Sequence, residues 1–132
     1  MHSVLLIDDE PAILEMYRVK LEQHSYKVFS ALTGIEGIEL AKKEHPSIIL
    51  LDIIMPKMNG FDVLKTLKEA PETKDIPVFI TTNLPEHTSG EKAKSLGAVN
   101  YLVKAEYEPG MVVEVLERYL EQGKAPDQPA TA

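Results

Sequence analysis

Short hydrophobic runs along the chain alternate with segments in which apolar residues recur every three to four positions. Four of the runs predict β-strands, and each of them ends directly before a polar residue: Val4–Ile7, Ile48–Leu51, Val78–Ile80 and Tyr101–Val103. The run from Tyr26 to Ala31 alternates only weakly, as expected for a strand at the edge of a sheet. Nearly continuous apolar runs are typical of strands that are buried on both faces of a parallel sheet.

The segments between the strands predict five helices. A proline suits the first turn of the first and of the fifth helix, and Thr33 and Glu36 have the spacing of a capping box at the start of the second. The fourth pattern, over residues 86–96, is the poorest because Gly90 lies inside it, so we expect a short or mobile helix. Alternating strands and helices predict an α/β fold, with a doubly wound parallel sheet covered by helices on both faces. Periodicity alone leaves the strand order open.

Polar residues stand at the carboxyl ends of the strong strands. Asp8 and Asp9 follow the first strand, Asp52 the third, Thr82 ends the fourth and Lys104 follows the fifth. In open α/β sheets, ligands bind at this edge. Three neighbouring carboxylates repel one another and favour a divalent cation, while a hydroxyl and an ammonium beside them favour a phosphate. The pattern therefore predicts a site that transfers a phosphoryl group.

Composition narrows the class of protein. With 132 residues, of which 44% are hydrophobic, the chain has enough apolar material for one domain, which we expect over residues 1–121. The net charge of −7 argues against direct binding of nucleic acid, and no apolar run approaches the roughly 18 residues of a membrane helix. We expect a cytoplasmic protein, with a disordered tail or the start of a linker over residues 122–132. None of the four histidines lies in metal-ligand spacing with a carboxylate, which argues against zinc.

Four segments in order resemble the receiver domain of two-component response regulators, and the resemblance covers about residues 2 to 121. The segments that carry it are Val4-Leu5-Leu6-Ile7-Asp8-Asp9-Glu10-Pro11, Leu51-Asp52-Ile53-Ile54-Met55-Pro56-Lys57-Met58-Asn59-Gly60, Pro77-Val78-Phe79-Ile80-Thr81-Thr82 and Gly97-Ala98-Val99-Asn100-Tyr101-Leu102-Val103-Lys104. The resemblance implies a flavodoxin-like sandwich of five βα units with strand order 2-1-3-4-5.

The resemblance also implies a chemical role for each acidic residue. Asp52 would be the phosphoacceptor, taking a phosphoryl group from a phosphohistidine of a sensor histidine kinase or phosphotransfer protein. Mg²⁺ would bind directly to Asp9 and chiefly through water to Asp8, with Asp52 and the backbone carbonyl of Ile54 as further ligands. Such a domain is not an enzyme with a separate substrate, although it assists its own phosphorylation and dephosphorylation.

The remaining implied roles concern the response to phosphorylation. Lys104 would pair with the phosphoryl group and Thr82 would hydrogen-bond to it. Tyr101 would change rotamer as Thr82 moves and pass the event to the face formed by the fourth helix, fifth strand and fifth helix. The resemblance is compatible with a monomer or with a weak, phosphorylation-dependent dimer.

Other interpretations of single residues stay open in the sequence. Asp9 could be a helix cap, Thr81 could replace Thr82 as the switch hydroxyl, and Tyr101 could be a half-buried strand tyrosine. The three aspartates could also be solvated surface residues. For the whole chain, one alternative is a degenerate receiver that only binds proteins. Another is a phosphatase of the haloacid-dehalogenase type, although Ile54 stands where such enzymes usually carry a second aspartate.

The chain departs from the family pattern at four places. Ala105 stands where a proline usually follows the lysine, and Asn83 replaces a small residue beside the site. Val99-Asn100 replaces a commonly acidic segment, and Gly90 replaces a residue that is basic in many DNA-binding regulators. We expect a trans Lys104–Ala105 bond, because the cis form costs roughly 3–4 kcal/mol before a residue other than proline. The output of the domain is left open.

Overall fold

The computed structural model of the protein describes residues 2–122. Five strands and five α-helices alternate along this part of the chain. They are β1 (Ser3–Ile7), α1 (Pro11–Gln23), β2 (Lys27–Ala31), α2 (Gly34–Glu44), β3 (Ile48–Leu51), α3 (Gly60–Glu69), β4 (Val78–Thr82), α4 (Glu86–Ser95), β5 (Asn100–Val103) and α5 (Pro109–Gln122), with a short 3₁₀ turn at Lys104–Glu106. None of the helices described is long and apolar enough to cross a membrane.

All five strands are parallel and lie in the order β2-β1-β3-β4-β5. The predicted α/β fold and the strand order implied by the resemblance are therefore confirmed. Ile7 at the end of β1 is level with Leu51 at the end of β3, and Leu51 is level with Ile80 of β4. The carboxyl ends of β1, β3 and β4 consequently lie at one edge of the sheet. The topological switch point between β1 and β3 is part of this edge.

Alternation along the strands divides the core into two layers. Leu5 and Ile7 of β1 face the layer covered by α2, α3 and α4, whereas Val4 and Leu6 face the layer covered by α1 and α5. These four side chains are at most 2% exposed. Burial on both faces explains why the strong strands are continuous apolar runs.

The helix boundaries follow local signals in the sequence. Pro11 is the first residue of α1. At α2, the Oγ1 atom of Thr33 accepts a hydrogen bond of 3.2 Å from the backbone N–H of Glu36. The Glu36 carboxylate reaches back to the N–H of Leu32, one residue before the cap. The capping box is thus confirmed, except that the Glu36 carboxylate accepts from the N–H of Leu32 and not from that of Thr33. Helix α5 continues to Gln122, one residue beyond the predicted end of the domain, and residues 123–132 of the predicted tail lie outside the described residues.

Helix α4 buries only small side chains against the sheet. It spans ten residues, as many as α3, and Gly90 lies within it without ending it. Its buried residues are Ser89, Gly90 and Ala93. No side chain larger than that of serine is buried by this helix, so few dispersion contacts hold it on the sheet.

Candidate functional site

Four of the predicted site residues converge at the carboxyl edge of the sheet. Asp8 and Asp9 follow β1, Asp52 follows β3 and Lys104 follows β5. Carboxylate oxygens of the three aspartates lie within 4.8 Å of one another. Asp8 is 4% and Asp52 5% exposed, so the interpretation of the cluster as solvated surface is wrong. The strand β4, which ends at Thr82, lies between β3 and β5, and this brings the threonine to the same edge.

Backbone hydrogen bonds fix the two buried carboxylates. The N–H of Asp8 donates to the carbonyl of Ala31 at 3.1 Å, and the N–H of Asp52 donates to the carbonyl of Ile7 at 2.9 Å. Each carboxylate then accepts a hydrogen bond from the backbone two residues further on, Asp8 from Glu10 at 3.0 Å and Asp52 from Ile54 at 3.2 Å. Such local turns orient the two carboxylates, in addition to the strand contacts that hold the backbone.

Lys104 connects the carboxylates. Its Nζ atom lies 2.7 Å from Oδ2 of Asp8 and 3.3 Å from Oδ2 of Asp52. The lysine side chain is only 11% exposed, so these contacts are poorly screened by water. In formal charges, one ammonium facing three carboxylates leaves two negative charges in excess. That excess, together with an all-oxygen donor set, fits a hard divalent cation such as Mg²⁺.

Burial and neighbouring charges shift the pKa values of Asp52 and Lys104. Burial raises the pKa of Asp52 and the carboxylate of Asp8 raises it further, whereas Lys104 and the N–H of Ile54 act in the opposite direction. Burial lowers the pKa of Lys104, but the hydrogen bond from Lys104 to Asp8 and the charges of Asp52 and Asp8 outweigh burial, and the net shift is upward. Lys104 therefore remains an ammonium at neutral pH.

Gly60 is a site residue that the sequence analysis named only as the last residue of the segment that begins at Leu51. Its N–H donates to the carbonyl of Ile53 at 2.7 Å. A Cβ atom at this position would lie 2.4 Å from Cα of Ile53 and 2.5 Å from the backbone oxygen of Asp52. Glycine is thus required where the loop after β3 folds back beneath Asp52. Asn59 caps α3 by accepting from the N–H of Asp62 at 3.1 Å, and Asn-Gly before an apolar pattern was the available signal.

Alternation along β4 separates the two threonines. Thr81 and Thr82 are both buried, but consecutive side chains of a strand point to opposite faces. Ile80 and Tyr101 lie in the layer of α2, α3 and α4, so Thr82 shares their face and Thr81 does not. The Oγ1 atom of Thr82 accepts a long hydrogen bond of 3.4 Å from the N–H of Leu84. This geometry favours Thr82 over Thr81 as the neighbour of Tyr101.

Tyr101 is buried, with 4% exposure, so the description of it as half-buried is wrong. Its hydroxyl donates to the backbone carbonyl of Leu84 at 2.9 Å. The Oγ atom of Ser89 on α4 lies 2.5 Å from the same hydroxyl. The sequence analysis missed Ser89 because a single serine in a helix with weak periodicity gives no signal of a buried contact.

Two smaller expectations also have an outcome. The N-cap residue of α1 is Glu10, without a side-chain cap, so Asp9 is not the helix cap. The Lys104–Ala105 bond is trans, like every peptide bond among residues 2–122, as expected. Ile54, beside Asp52, is 53% exposed, and its N–H is the group that contacts the Asp52 carboxylate.

A groove of about 600 Å³ adjoins Lys104. It lies between α1, the loop after β4, the connection from β5 to α5 and the start of α5. Its lining mixes apolar and polar residues: Glu10, Ile13, Met16, Tyr17, Asn83, Lys104, Ala105, Glu106, Tyr107, Glu108, Pro109 and Met111. Asn83 is therefore at the mouth of the site, as its position in the sequence indicated.

Known proteins resemble this chain over almost all of the described fold. The family profile described as response regulator receiver domain matches residues 4–117. The protein PilH of Pseudomonas aeruginosa is 40% identical over 106 residues, which are 79% of this chain and 86% of PilH. The polar-differentiation response regulator DivK of Brucella ovis is 30% identical over 118 residues, which cover 89% of this chain and 95% of DivK.

Longer proteins and solved structures give the same result. The DNA-binding dual master transcriptional regulator RpaA of Synechocystis is 38% identical over 118 residues, and the chain spans about half (47%) of its length. The chemotaxis protein CheY4 of Vibrio cholerae superposes with a TM-score of 0.83 at 30% identity, over 89% of this chain and 98% of that one. These similarities do not favour the haloacid-dehalogenase alternative. The chain belongs to the response regulator receiver domain family.

Proposed function

We propose that this receiver domain accepts a phosphoryl group on Asp52 from a phosphohistidine of a sensor histidine kinase or phosphotransfer protein. The observation that carries the proposal is the position of Asp52. Its carboxylate is one of three whose oxygens lie within 4.8 Å of one another, and it lies 3.3 Å from the ammonium of Lys104. Asp52 is thus a nucleophile beside two further carboxylates, which can hold a cation, and beside an ammonium, which can pair with a phosphoryl group. Phosphoryl transfer requires these groups.

The hydrogen bonds of the site favour Asp52 over Asp8 as the nucleophile. Oδ1 of Asp8 accepts from Glu10, and Oδ2 of Asp8 holds Lys104 at 2.7 Å. Oδ2 of Asp52 is held by the same lysine at the longer distance of 3.3 Å, so less hydrogen bonding must be given up before it attacks. In the transfer, an Asp52 oxygen forms a bond to phosphorus while the P–N bond of the donor breaks, and the electron pair leaves with the imidazole.

We assign the binding of Mg²⁺ to Asp8, Asp9 and Asp52 and to the backbone carbonyl of Ile54. The donor set is entirely oxygen, and the two excess negative charges match one divalent cation. When bound, the cation supplies positive charge next to the oxygens of the transferred group. Lys104 would pair with the phosphoryl group, and the hydroxyl of Thr82 would donate a hydrogen bond to it. The buried position of Lys104 strengthens this pairing.

The groove beside Lys104 supports a docking position for the phosphodonor protein. It reaches the site edge at Lys104 and Asn83 and offers Ile13, Met16 and Met111 as apolar contacts. A net charge of −7 supports protein partners over direct contact with nucleic acid. The downstream effector is left unspecified, since relatives include both PilH and the DNA-binding regulator RpaA. Cytoplasmic location and a monomer or weak phosphorylation-dependent dimer stay predictions.

Incubation with acetyl phosphate and Mg²⁺, followed by intact-mass measurement, tests the proposal. We expect one added phosphoryl group on the unaltered protein and on Asp62→Asn, which removes an exposed carboxylate of α3. We expect none on Asp52→Asn. A phosphoryl adduct that persists in Asp52→Asn would contradict the assignment. Failure of the unaltered protein to react with any small-molecule donor or kinase would instead support the degenerate receiver that only binds proteins.

A further inference from the structure

A pair of buried hydroxyl groups connects helix α4 to strand β5. Ser89 of α4 is 7% exposed and Tyr101 of β5 is 4% exposed. The Oγ atom of Ser89 and the phenolic oxygen of Tyr101 lie 2.5 Å apart. Because both groups are shielded from water, loss of either hydroxyl removes a hydrogen bond that water cannot readily replace.

The direction of this hydrogen bond follows from counting protons. The hydroxyl of Tyr101 carries one hydrogen, which is donated to the carbonyl of Leu84 at 2.9 Å. The hydrogen between Ser89 and Tyr101 must therefore come from Ser89. Tyr101 thus accepts from α4 and donates to the loop after β4, so its ring is held from two sides.

The same contacts reach Thr82 at the site edge. The N–H of Leu84 donates to Oγ1 of Thr82 at 3.4 Å, and the carbonyl of Leu84 accepts from Tyr101. Thr82, Leu84, Tyr101 and Ser89 therefore form a continuous chain of hydrogen bonds from the end of β4 to α4. A displacement of the Thr82 hydroxyl moves Leu84, and Leu84 carries the hydrogen-bond partner of Tyr101 with it.

Ser89 is well placed to control α4 because the helix buries only small side chains against the sheet, although Lys92 of α4 also lies over the ring of Phe61 of α3. The buried residues of α4 are Ser89, Gly90 and Ala93, and its N-cap residue Pro85 makes no side-chain cap. Within residues 2–122, the Ser89–Tyr101 bond is the side-chain hydrogen bond that joins α4 to the sheet. Ser95 of the same helix, in contrast, is exposed and bonds only to the carbonyl of Lys92 within α4.

We infer that Ser89 is a positioning residue that holds Tyr101 in its buried position and thereby couples α4 to Thr82. The inference rests on the proposed function, because this coupling carries a signal only if Asp52 is phosphorylated. By thermodynamic linkage, a change at the site that displaces Thr82 shifts the position of Tyr101. Removal of the Ser89 hydroxyl weakens this coupling between Thr82 and α4 at the α4 end of the chain of hydrogen bonds.

Fluorine NMR of protein that contains 3-fluorotyrosine tests the first half of the inference. The Tyr101 resonance is identified by its absence in Tyr101→Phe. In Ser89→Ala, the ratio of buried to exposed Tyr101 should fall about 2- to 10-fold, the factor that corresponds to the net contribution of one hydrogen bond. The matched control Ser95→Ala should leave the Tyr101 resonance unchanged. Ser89→Thr retains a hydroxyl at position 89, so its ratio of buried to exposed Tyr101 should be close to that of the unaltered protein. An unchanged Tyr101 resonance in Ser89→Ala would overturn the inference.

Tyr101→Phe keeps the test decisive if Ser89→Ala fails to fold. Removal of the phenolic oxygen takes away the acceptor of Ser89, so the backbone amide resonances of α4 should shift in Tyr101→Phe. Where both single variants fold, Ser89→Ala should alter these resonances much less in the Tyr101→Phe background than alone. Equal effects in both backgrounds, or α4 resonances that do not respond to Tyr101→Phe, would refute the link.

Beryllofluoride with Mg²⁺, a mimic of a bound phosphoryl group, tests the second half. We expect the amide resonances of α4 to respond to it in the unaltered protein and in Ser95→Ala, and to respond less in Ser89→Ala. An equal response in Ser89→Ala would refute coupling through Ser89. If the unaltered protein does not bind beryllofluoride, the proposed function fails, and the Tyr101 measurement without the mimic still decides whether Ser89 positions the ring.

Discussion

The ammonium of Lys104 is bound more closely by Asp8 than by the proposed phosphoacceptor, at 2.7 Å compared with 3.3 Å. Asp8 therefore serves as the main anchor of the lysine. Lys104 can lose its contact with Asp52 during the reaction and still remain at the site through Asp8. Because Lys104 contacts both carboxylates, any cation that they bind competes with Lys104 for oxygen atoms of Asp8 and Asp52.

The first prediction concerns this competition. Asp9→Ala should weaken Mg²⁺ binding by at least about tenfold, equivalent to about 1.4 kcal/mol, because a carboxylate ligand is lost. Lys104→Ala should leave the affinity unchanged or increase it, since a competing positive charge is removed. Calorimetric titration of Mg²⁺ measures both, with the exposed Lys42→Ala of α2 as the control for net charge. Tight binding in Asp9→Ala with loss of binding in Lys104→Ala would disprove the assignment.

The second prediction concerns the pH dependence of stability. Because burial raises the pKa of Asp52 above its ordinary value of 3.8, the folded state binds this proton more tightly than the unfolded state. The contribution of Asp52 to stability is therefore fully present below pH 3.8 and is lost as the pH rises through the raised pKa. Asp52→Asn should increase the free energy of unfolding at pH 7, by on the order of 1 kcal/mol.

Urea unfolding of both proteins between pH 4 and pH 7 checks this prediction. The difference between Asp52→Asn and the unaltered protein should be largest at pH 7 and should shrink towards acid. The asparagine oxygen can still accept the N–H of Ile54, and Lys104 keeps Asp8. A difference that grows as the pH falls would show that the pKa of Asp52 is shifted in the other direction.

The third prediction concerns the glycine beneath Asp52. Gly60→Ala should destabilise the fold by about 1–3 kcal/mol, because the new Cβ meets only backbone atoms, which cannot turn aside. Phosphorylation by acetyl phosphate should slow as the loop after β3 is displaced. Gly110→Ala is the matched control, since its Cβ would meet only Cε of Lys20, at 4.0 Å. Urea unfolding that shows equal stability for the two variants would contradict the structural role of Gly60.

The fourth prediction concerns the lifetime of the phosphoryl group. Ile54 is 53% exposed beside Asp52, and its side chain cannot hydrogen-bond to a water molecule. Ile54→Asn should therefore speed the loss of the phosphoryl label about fivefold, the factor that one hydrogen bond of about 1 kcal/mol corresponds to. Ile35→Asn, at an exposed position of α2, serves as the control. Equal rates of label loss in the two variants would exclude this role of position 54.

Most of the fold followed from local patterns in the sequence. The apolar runs predicted the strands because β1, β3 and β4 are buried on both faces, and capping signals such as Thr33 with Glu36 predicted helix ends. Periodicity contains no information on which strands pair, so the order β2-β1-β3-β4-β5 depended on the resemblance to a known family. The convergence of Asp8, Asp52 and Lys104 followed once that order was assumed.

The sequence could not provide the contacts that depend on exact placement. The contact of Ser89 with Tyr101 joins residues twelve positions apart, and it requires the position of α4 over β5. The closeness of Gly60 to the backbone of Asp52 depends on the path of a loop that has no periodicity. The preference of Lys104 for Asp8 is a difference of 0.6 Å between two carboxylates that look alike in the sequence.

The small buried side chains of α4 have a consequence for the energy of signalling. A helix that buries nothing larger than Ser89, Gly90 and Ala93 loses little apolar contact when it shifts on the sheet. Any alternative position of the helix would therefore cost little apolar contact, and a difference of about 1.4 kcal/mol changes the ratio of two positions tenfold. A phosphoryl group or a partner protein that prefers one position of α4 by that amount would redistribute the molecules tenfold in its favour.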